Sequence, residues 1–189
     1  MGWEILKYSK SEINKAGDIL ISNRSSNEEI EKATDILDNW RASHSYPMHV
    51  FQMRLSNVSK QLDKDSLTAQ RLKRVPSILS KLNRRYDGRN PSMKLSQMQD
   101  IGGCRAILSN VTLAKEVYNN HYIKGDLKHK LVNKKDYISE PKYDGYRSLH
   151  LIYAYKSDKG KKEFNGLLTE IQIRSKLQHL WATAVETVG

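Results

Sequence analysis

An α/β (α+β) chain, with a mixed β-sheet flanked by helices and a helical lead-in before it, is the fold class that the sequence predicts. Three patterns predict it. Helical periodicity dominates before residue 70. After residue 100, short runs rich in β-branched and aromatic residues alternate polar with apolar positions, as strands do. Between and after those runs stand two stretches whose apolar residues recur at helical spacing.

The first helix is "SSNEEIEKATDILDNWRASH". Ser26 and Glu29 open it as a capping box, and Ile30, Ala33, Leu37, Trp40 and His44 fall on one inward face. Pro47 interrupts, and "MHVFQMRLSNVSKQL" resumes as a second helix. Residues 1–64 thus read as a helical extension packed on a catalytic core of residues 65–189. "AQRLKRV" is a short extended segment. Val75, standing before a proline, is expected to be extended too. Pro76 then opens a helix that turns Ile78, Leu79 and Leu82 inward. "DGRNPS" is a loop. "CRAIL", "KHKLV", "YRSLHLIYAY" and "LLTEIQIR" are strands, and "VTLAKEVYNNHY" is a helix between the first two. "KSDKGKKEFNG" is a basic turn that joins the last two strands as a hairpin. The final segment carries Leu177, Leu180, Trp181, Ala184, Val185 and Val188 as an apolar helical stripe. A stripe so near the last residue leads to the expectation that the natural chain continues past Gly189.

With 189 residues, 38% hydrophobic and 28% charged, the chain can bury a core of ordinary size. Its net charge of +11 implies an anionic partner: nucleotide phosphates, nucleic acid or acidic lipid. No apolar run approaches the ~20 residues of a membrane helix. "MGWEILKYSKSE" lacks the order of a secretory signal, and Leu6 stands where a myristoylation signal needs Ser or Thr. Cys104, the single cysteine, excludes an internal disulfide framework and a thiolate-rich metal site. A cytoplasmic protein with no membrane contact is expected, and an oligomer is compatible with all of this.

Strand alternation sorts the side chains that carry chemistry. In "LTEIQIR", Ile171 and Ile173 point one way and Glu170, Gln172 and Arg174 the other. In "YDGYRSLHLIYAY", Tyr146, Ser148 and His150 share one face. Tyr146 follows the Gly145 turn, so its ring is expected to project from the mouth of the sheet. A solvated antiparallel face has the same pattern, and "RLKRVPSILSK" tips the reading towards a site. Arg71 and Lys73 on one face, Ser77 in the first turn of the next helix and Lys81 one turn on converge as a phosphate site built from charge and helix N–H groups. The glycine-rich loop of a P-loop ATPase is missing. Asp100 and Glu170, two acids beside these cations, suit a Mg²⁺ ion whose shell substrate phosphates complete. Such a site predicts phosphoryl-type transfer.

Four segments, "RLKRVPSILSK", "QDIGGCRAIL", "KKDYISEPKYDGYRSLH" and "TEIQIRSKLQHLWA", together resemble the synthetase domain of the RelA/SpoT alarmone synthetases, in the family's order and over about residues 65–189. The resemblance implies a nucleotidyltransferase-like fold. It also implies an enzyme that moves the β,γ-diphosphate of ATP to the 3′-hydroxyl of GDP or GTP. By position, Arg71 and Arg105 would sandwich adenine, and Lys73, Ser77 and Lys81 would hold ATP phosphates. Asp100 and Glu170 would bind Mg²⁺, with Glu170 a candidate base. Tyr146 would stack on guanine. Lys135, Lys142 and His150 would face the acceptor's phosphates, and Gln172 would line the same pocket. A four-residue motif that is acidic or basic in many members reads "NKKD" at 133–136 here, with Asn133 in place of the leading Arg of the basic version. No His-Asp dipeptide occurs, so the hydrolase domain of the long bifunctional members is not expected. Toxic members that modify adenine nucleotides or the 3′ end of tRNA keep those acceptors open. A non-catalytic nucleotide- or RNA-binding module is the remaining alternative.

Overall fold

The computed structural model describes residues 2–85 and 91–188, with side chains through 185. Three helices come first: α1 (Lys10–Leu20), α2 (Asn27–Ser43) and α3 (Ser45–Leu62). The Ser26 capping box forms as expected. Ser26 Oγ accepts from the Glu29 amide at 3.3 Å, and the Ser26 amide donates to Glu29 Oε2 at 2.8 Å. A second box, Ser9 with Glu12, opens α1, a helix that the sequence reading did not single out. The break between α2 and α3 falls at His44, not at Pro47. Pro47 lies in the first turn of α3, where its missing N–H costs no hydrogen bond. On α2, Ala33, Leu37, Trp40 and His44 are buried as expected, but Ile30 is exposed.

The sheet follows: β1 (Leu67–Leu72), β2 (Gly102–Leu108), β3 (Lys130–Asp136), β4 (Leu149–Ala154) and β5 (Leu168–Ser175), in the order β1-β2-β5-β4-β3. The central pair β2–β5 is parallel and the other pairs are antiparallel, so the sheet is mixed as predicted. Helix α4 (Val75–Leu82) follows β1, and α5 (Val111–Glu116) follows β2 and runs into a π-helical turn, Val117–Ile123. Val75 is the first residue of α4 and not extended; Arg74 takes the extended conformation in its place. Ile78 and Leu82 are buried, and Leu79 is half-buried. The turn between β4 and β5 closes the expected hairpin, with reciprocal backbone hydrogen bonds between Tyr155 and residues 166–167 and with Phe164 fully buried. Residues 87–90 of the expected "DGRNPS" loop lie outside the described residues.

One hydrophobic core joins Ile13, Leu37, Phe51 and Leu55 of the helices to Ile171, Ile173, Leu149 and Leu151 of the sheet. At Gly102 the helical layer approaches the sheet closely. A Cβ there would stand 3.4 Å from the Cβ atoms of both His44 and Met48. His44 is completely buried, donates from Nδ1 to the Trp40 carbonyl at 2.7 Å, and leaves Nε2 without a partner. Burial pulls its pKa down to about 4. Below the ordinary pKa of ~6.5 an unfolded His44 takes up a proton that the folded one refuses, so stability drains away as pH falls from about 6.5 towards 4. The full effect is on the order of 3 kcal/mol. Urea unfolding at pH 7.5 and 4.5 should show this loss in the wild type and a smaller one in His44→Asn; equal losses in both would remove His44 as its cause.

Helix α6 (Lys176–Val188) ends the chain. Its buried face is Gln178, Ala182 and, in part, Val185. The expected stripe points outward instead, with Leu177 77%, Leu180 66% and Trp181 52% exposed and Ala184 exposed as well. Val188 lies beyond the described side chains. Trp181 has a local partner, the Gly145 turn: a Cβ on Gly145, whose φ is +76°, would come within 3.2 Å of the indole nitrogen. Only glycine suits that conformation and that contact. No helix is long and apolar enough to cross a membrane among the described residues.

Candidate active site

The face of the sheet away from α3 is polar because register stacks the odd-numbered positions of β2 beside the even-numbered positions of β5 and β4. One row across the strands runs Arg71, Gly103, Glu170, Ile152, Asn133. The next runs Ala69, Arg105, Gln172, His150, Lys135. The second row depends on a β-bulge between Leu131 and Asn133. Without that extra residue Lys134 would oppose His150; with it, Lys135 does. Gly103 leaves the floor bare between Arg71 and Glu170.

Two cavities open on this face. The first, about 700 Å³, is lined by Arg71, Lys73, Asp100, Arg105, Glu170 and Gln172 among others. The second, about 530 Å³, is lined by Lys81, Asp100, Lys135, Tyr137, His150 and Glu170 among others. Asp100 and Glu170 belong to both. Asp100, at the end of the loop before β2, accepts from Lys73 Nζ at 2.9 Å and from Lys81 Nζ at 3.0 Å. Burial pushes its carboxyl up, but the hydrogen bonds from Lys73 and Lys81 outweigh burial and hold it below the usual aspartate range. Glu170 accepts from His150 Nδ1 at 2.8 Å and from Gln172 Nε2 at 2.7 Å. Burial works upward here too, and the bonds from His150 and Gln172 bring the net value down. Both acids are therefore carboxylates at neutral pH, the hard oxygen donors that Mg²⁺ takes. Among the described residues, no group of three or more His, Cys, Asp or Glu converges to hold a metal on protein ligands alone.

The remaining expected residues are scattered around this pair. Ser77 is exposed on the first turn of α4 and lines neither cavity. Lys142 is also exposed and lines neither; its ammonium lies 4.7 Å from the Tyr146 ring centroid and 4.9 Å from that of Tyr137. Tyr146 does not project from the mouth of the sheet. It is 9% exposed, and β4 begins only at Leu149. Its hydroxyl is bonded to His150 Nε2 at 2.8 Å and to Arg174 Nη2. A phenol with two partners to satisfy folds back onto the polar face, which an argument from strand alternation and a glycine turn does not capture. Arg174 and Tyr137 are the residues that sequence reasoning left without a role. Arg174 carried a signal, since an arginine on the same strand face as Glu170 and Gln172 is placed beside them by period two. Asp136, the end of "NKKD", caps a turn, accepting from the amides of Ile138 and Ser139 at 2.9 Å each.

A model of the region found in RelA / SpoT proteins matches residues 70–187. The chain belongs to the RelA/SpoT family. Its relatives include the GTP pyrophosphokinase YjbM of Bacillus subtilis, 36% identical over 60% of this chain and 51% of that protein. The GTP pyrophosphokinase YwaC of the same organism is 35% identical over 61% of this chain and 54% of that protein. The chain thus spans about half the length of the curated relatives it matches. Among solved structures, small alarmone synthetase 1 from Bacillus subtilis bound to its product pppGpp superposes with a TM-score of 0.67 at 26% identity, over 80% of this chain and 78% of that one. The matched region holds β2 to β5 and the end of β1, and both carboxylates lie inside it; helices α1 to α3 precede it.

Proposed function

We propose that this chain transfers the β,γ-diphosphate of ATP to the 3′-hydroxyl of GDP or GTP, making (p)ppGpp. The observation that carries the reading is the pair of cavities meeting at Asp100 and Glu170. A donor nucleotide in one and an acceptor in the other would bring their reacting atoms to the shared wall, and transfer of this kind depends on positioning and electrostatics. Support also comes from relatives named GTP pyrophosphokinases and from a structural neighbour whose title names pppGpp as its product. In this reading Arg71 and Arg105 flank the adenine, while Lys73, Ser77 and Lys81 attend the ATP phosphates. Residues 65–189 are the catalytic unit, and 1–64 buttress the apolar side of its sheet.

Asp100 and Glu170 are the residues that would hold Mg²⁺, which when bound neutralises charge on the transferring phosphates. Lys73 and Lys81, now on Asp100, then turn to phosphate oxygens. Glu170 accepts the proton of the 3′-hydroxyl as that oxygen bonds to the β-phosphorus. The bond from the β-phosphorus to its bridging oxygen on the α side breaks, and AMP leaves. Lys135 and His150, paired across β3 and β4, line the acceptor cavity. Lys142 swings off the Tyr146 ring to admit guanine and meets an acceptor phosphate. The chain works as a cytoplasmic enzyme on soluble nucleotides.

Incubation with ATP labelled at the β-phosphate, offered GDP, GTP, ADP and deacylated tRNA in parallel, tests the reading. Label should pass to GDP or GTP with release of AMP. Label passing only to ADP or tRNA would make this a different transferase, and tight nucleotide binding with no transfer would make it a binding module. Arg71→Ala and Lys73→Ala should each weaken ATP binding by about 10–100-fold, since a lost charge-assisted contact costs roughly 1.5–3 kcal/mol. Unchanged ATP affinity by calorimetry in both variants would return this strand to an ordinary solvated edge.

A further inference from the structure

Arg174 is the largest fully buried side chain of the described residues, at 2% exposure, and no carboxylate touches it. A buried guanidinium without an adjacent counter-charge is costly, so polar neighbours must take the place of its lost hydration. They do so in two arms. Nη2 bonds to the Tyr146 hydroxyl, and Tyr146 to His150 Nε2 at 2.8 Å; His150 Nδ1 then meets Glu170 Oε1 at 2.8 Å. The same Nη2 donates to Gln172 Oε1 at 2.9 Å, and Gln172 Nε2 donates to Glu170 Oε2 at 2.7 Å. The two arms form a closed ring from the arginine to the two oxygens of one carboxylate.

The bond directions in that ring are set from its two ends: a guanidinium has protons to give and no lone pair, and a carboxylate has lone pairs and no proton. The Tyr146 oxygen accepts from Arg174, and a carboxylate can only accept, so His150 Nδ1 donates to Glu170; a neutral His150 then receives the Tyr146 proton at Nε2. Gln172 must present its carbonyl to Arg174, so its amide nitrogen faces Glu170. Reverse the tautomer or flip the amide, and a lone pair would face a carboxylate oxygen.

We infer that Arg174 is a positioning residue for Glu170, fixing through Tyr146 which nitrogen of His150 is protonated and through Gln172 which end of the amide meets the carboxylate. The inference rests on the diphosphate-transfer reading, in which Glu170 takes the acceptor's proton. Both oxygens of Glu170 are then held by donors from known directions, and the lone pairs that remain are those left for Mg²⁺ and the 3′-hydroxyl. Arg174 itself touches no substrate in this account. Outer partners of this kind typically contribute 10–100-fold to activity.

The test is a histidine side-chain nitrogen spectrum of the full chain labelled with ¹⁵N, with His150 assigned by the signal lost in His150→Gln. In the wild type at neutral pH, His150 should carry its proton on Nδ1 with Nε2 bare. Arg174→Met should shift it towards a mixture of tautomers and lower kcat by about 10–100-fold with little change in KM for ATP. Arg174→Lys, which keeps a donor, should recover part of both. Tyr146→Phe cuts only one arm and keeps the ring, so it should also mix the tautomers; if Arg174→Met fails to fold, this variant decides alone. A His150 pattern unchanged in the folded variants, or a wild-type ring protonated on both nitrogens, would overturn the inference. A wild type that transfers nothing to GDP or GTP, but whose His150 pattern still answers to Arg174, would overturn the reaction and leave the positioning ring standing.

Discussion

Glu170→Gln is expected to lower turnover by ~10²–10⁴ while ATP still binds. The substitution is nearly isosteric but removes the proton acceptor and one of two carboxylates. It also sets a donor against a donor, because His150 and Gln172 both give protons to this side chain. An amide can satisfy one of them, and the other is left facing N–H. Single-turnover transfer to GDP, beside calorimetric titration with ATP, separates the two effects. A variant that kept more than about a tenth of wild-type turnover would rule out Glu170 as the base, whatever its place in the ring.

Tyr146→Ala should fail in two ways at once. The ring is nearly buried, packed by Arg174 at 4.9 Å and Tyr137 at 5.9 Å between centroids, and its hydroxyl serves two partners. Cutting it back to Ala opens a hole and strands the arginine, a loss of about 3 kcal/mol or more. For a chain of this size that lowers Tm by about 6–12 °C. If the ring also stacks on guanine, acceptor use falls by a further ~10–100-fold, one base stack. A thermal scan beside an acceptor titration reads both. A Tm that moved little with acceptor affinity reduced would mean the ring stands free in solution, as the glycine turn alone suggests; a large Tm drop with normal acceptor affinity would confine Tyr146 to a packing role.

Much of this arrangement was legible in residues. The Ser26–Glu29 spacing fixes a helix start through its own hydrogen bonds, so the sequence is sufficient. Alternation in β5 places Glu170 and Gln172 together because a central strand with one buried face tolerates no other register. The apolar stripe of α6 misleads for the converse reason. Periodicity says that a helix has an apolar face, not that the sheet is what covers it, and here the sheet takes the smaller face at Gln178 and Ala182. Lys135 faces His150 only because of a bulge, and a bulge leaves no mark in residue types when every candidate is a lysine, asparagine or valine. Tyr146 departs from the expected place because its hydroxyl is held by His150, four residues on, and by Arg174 on another strand, and hydrogen-bond demand has no period.

The parallel pairing of β2 with β5 has a consequence for how the chain folds as it is made. Gly103 and Glu170 are neighbours across the sheet, yet α5, β3, β4 and the basic turn all lie between them in the chain. A nascent chain can form β1–β2 and β3–β4 as separate antiparallel pairs, and only β5, the last of the five strands in sequence, fills the gap between β2 and β4. Until then the edges of β2 and β4 are exposed to other chains, and the polar face lacks the carboxylate of Glu170. On the diphosphate-transfer reading, a chain broken off before residue 168 lacks both Glu170 and Gln172 and is expected to transfer nothing.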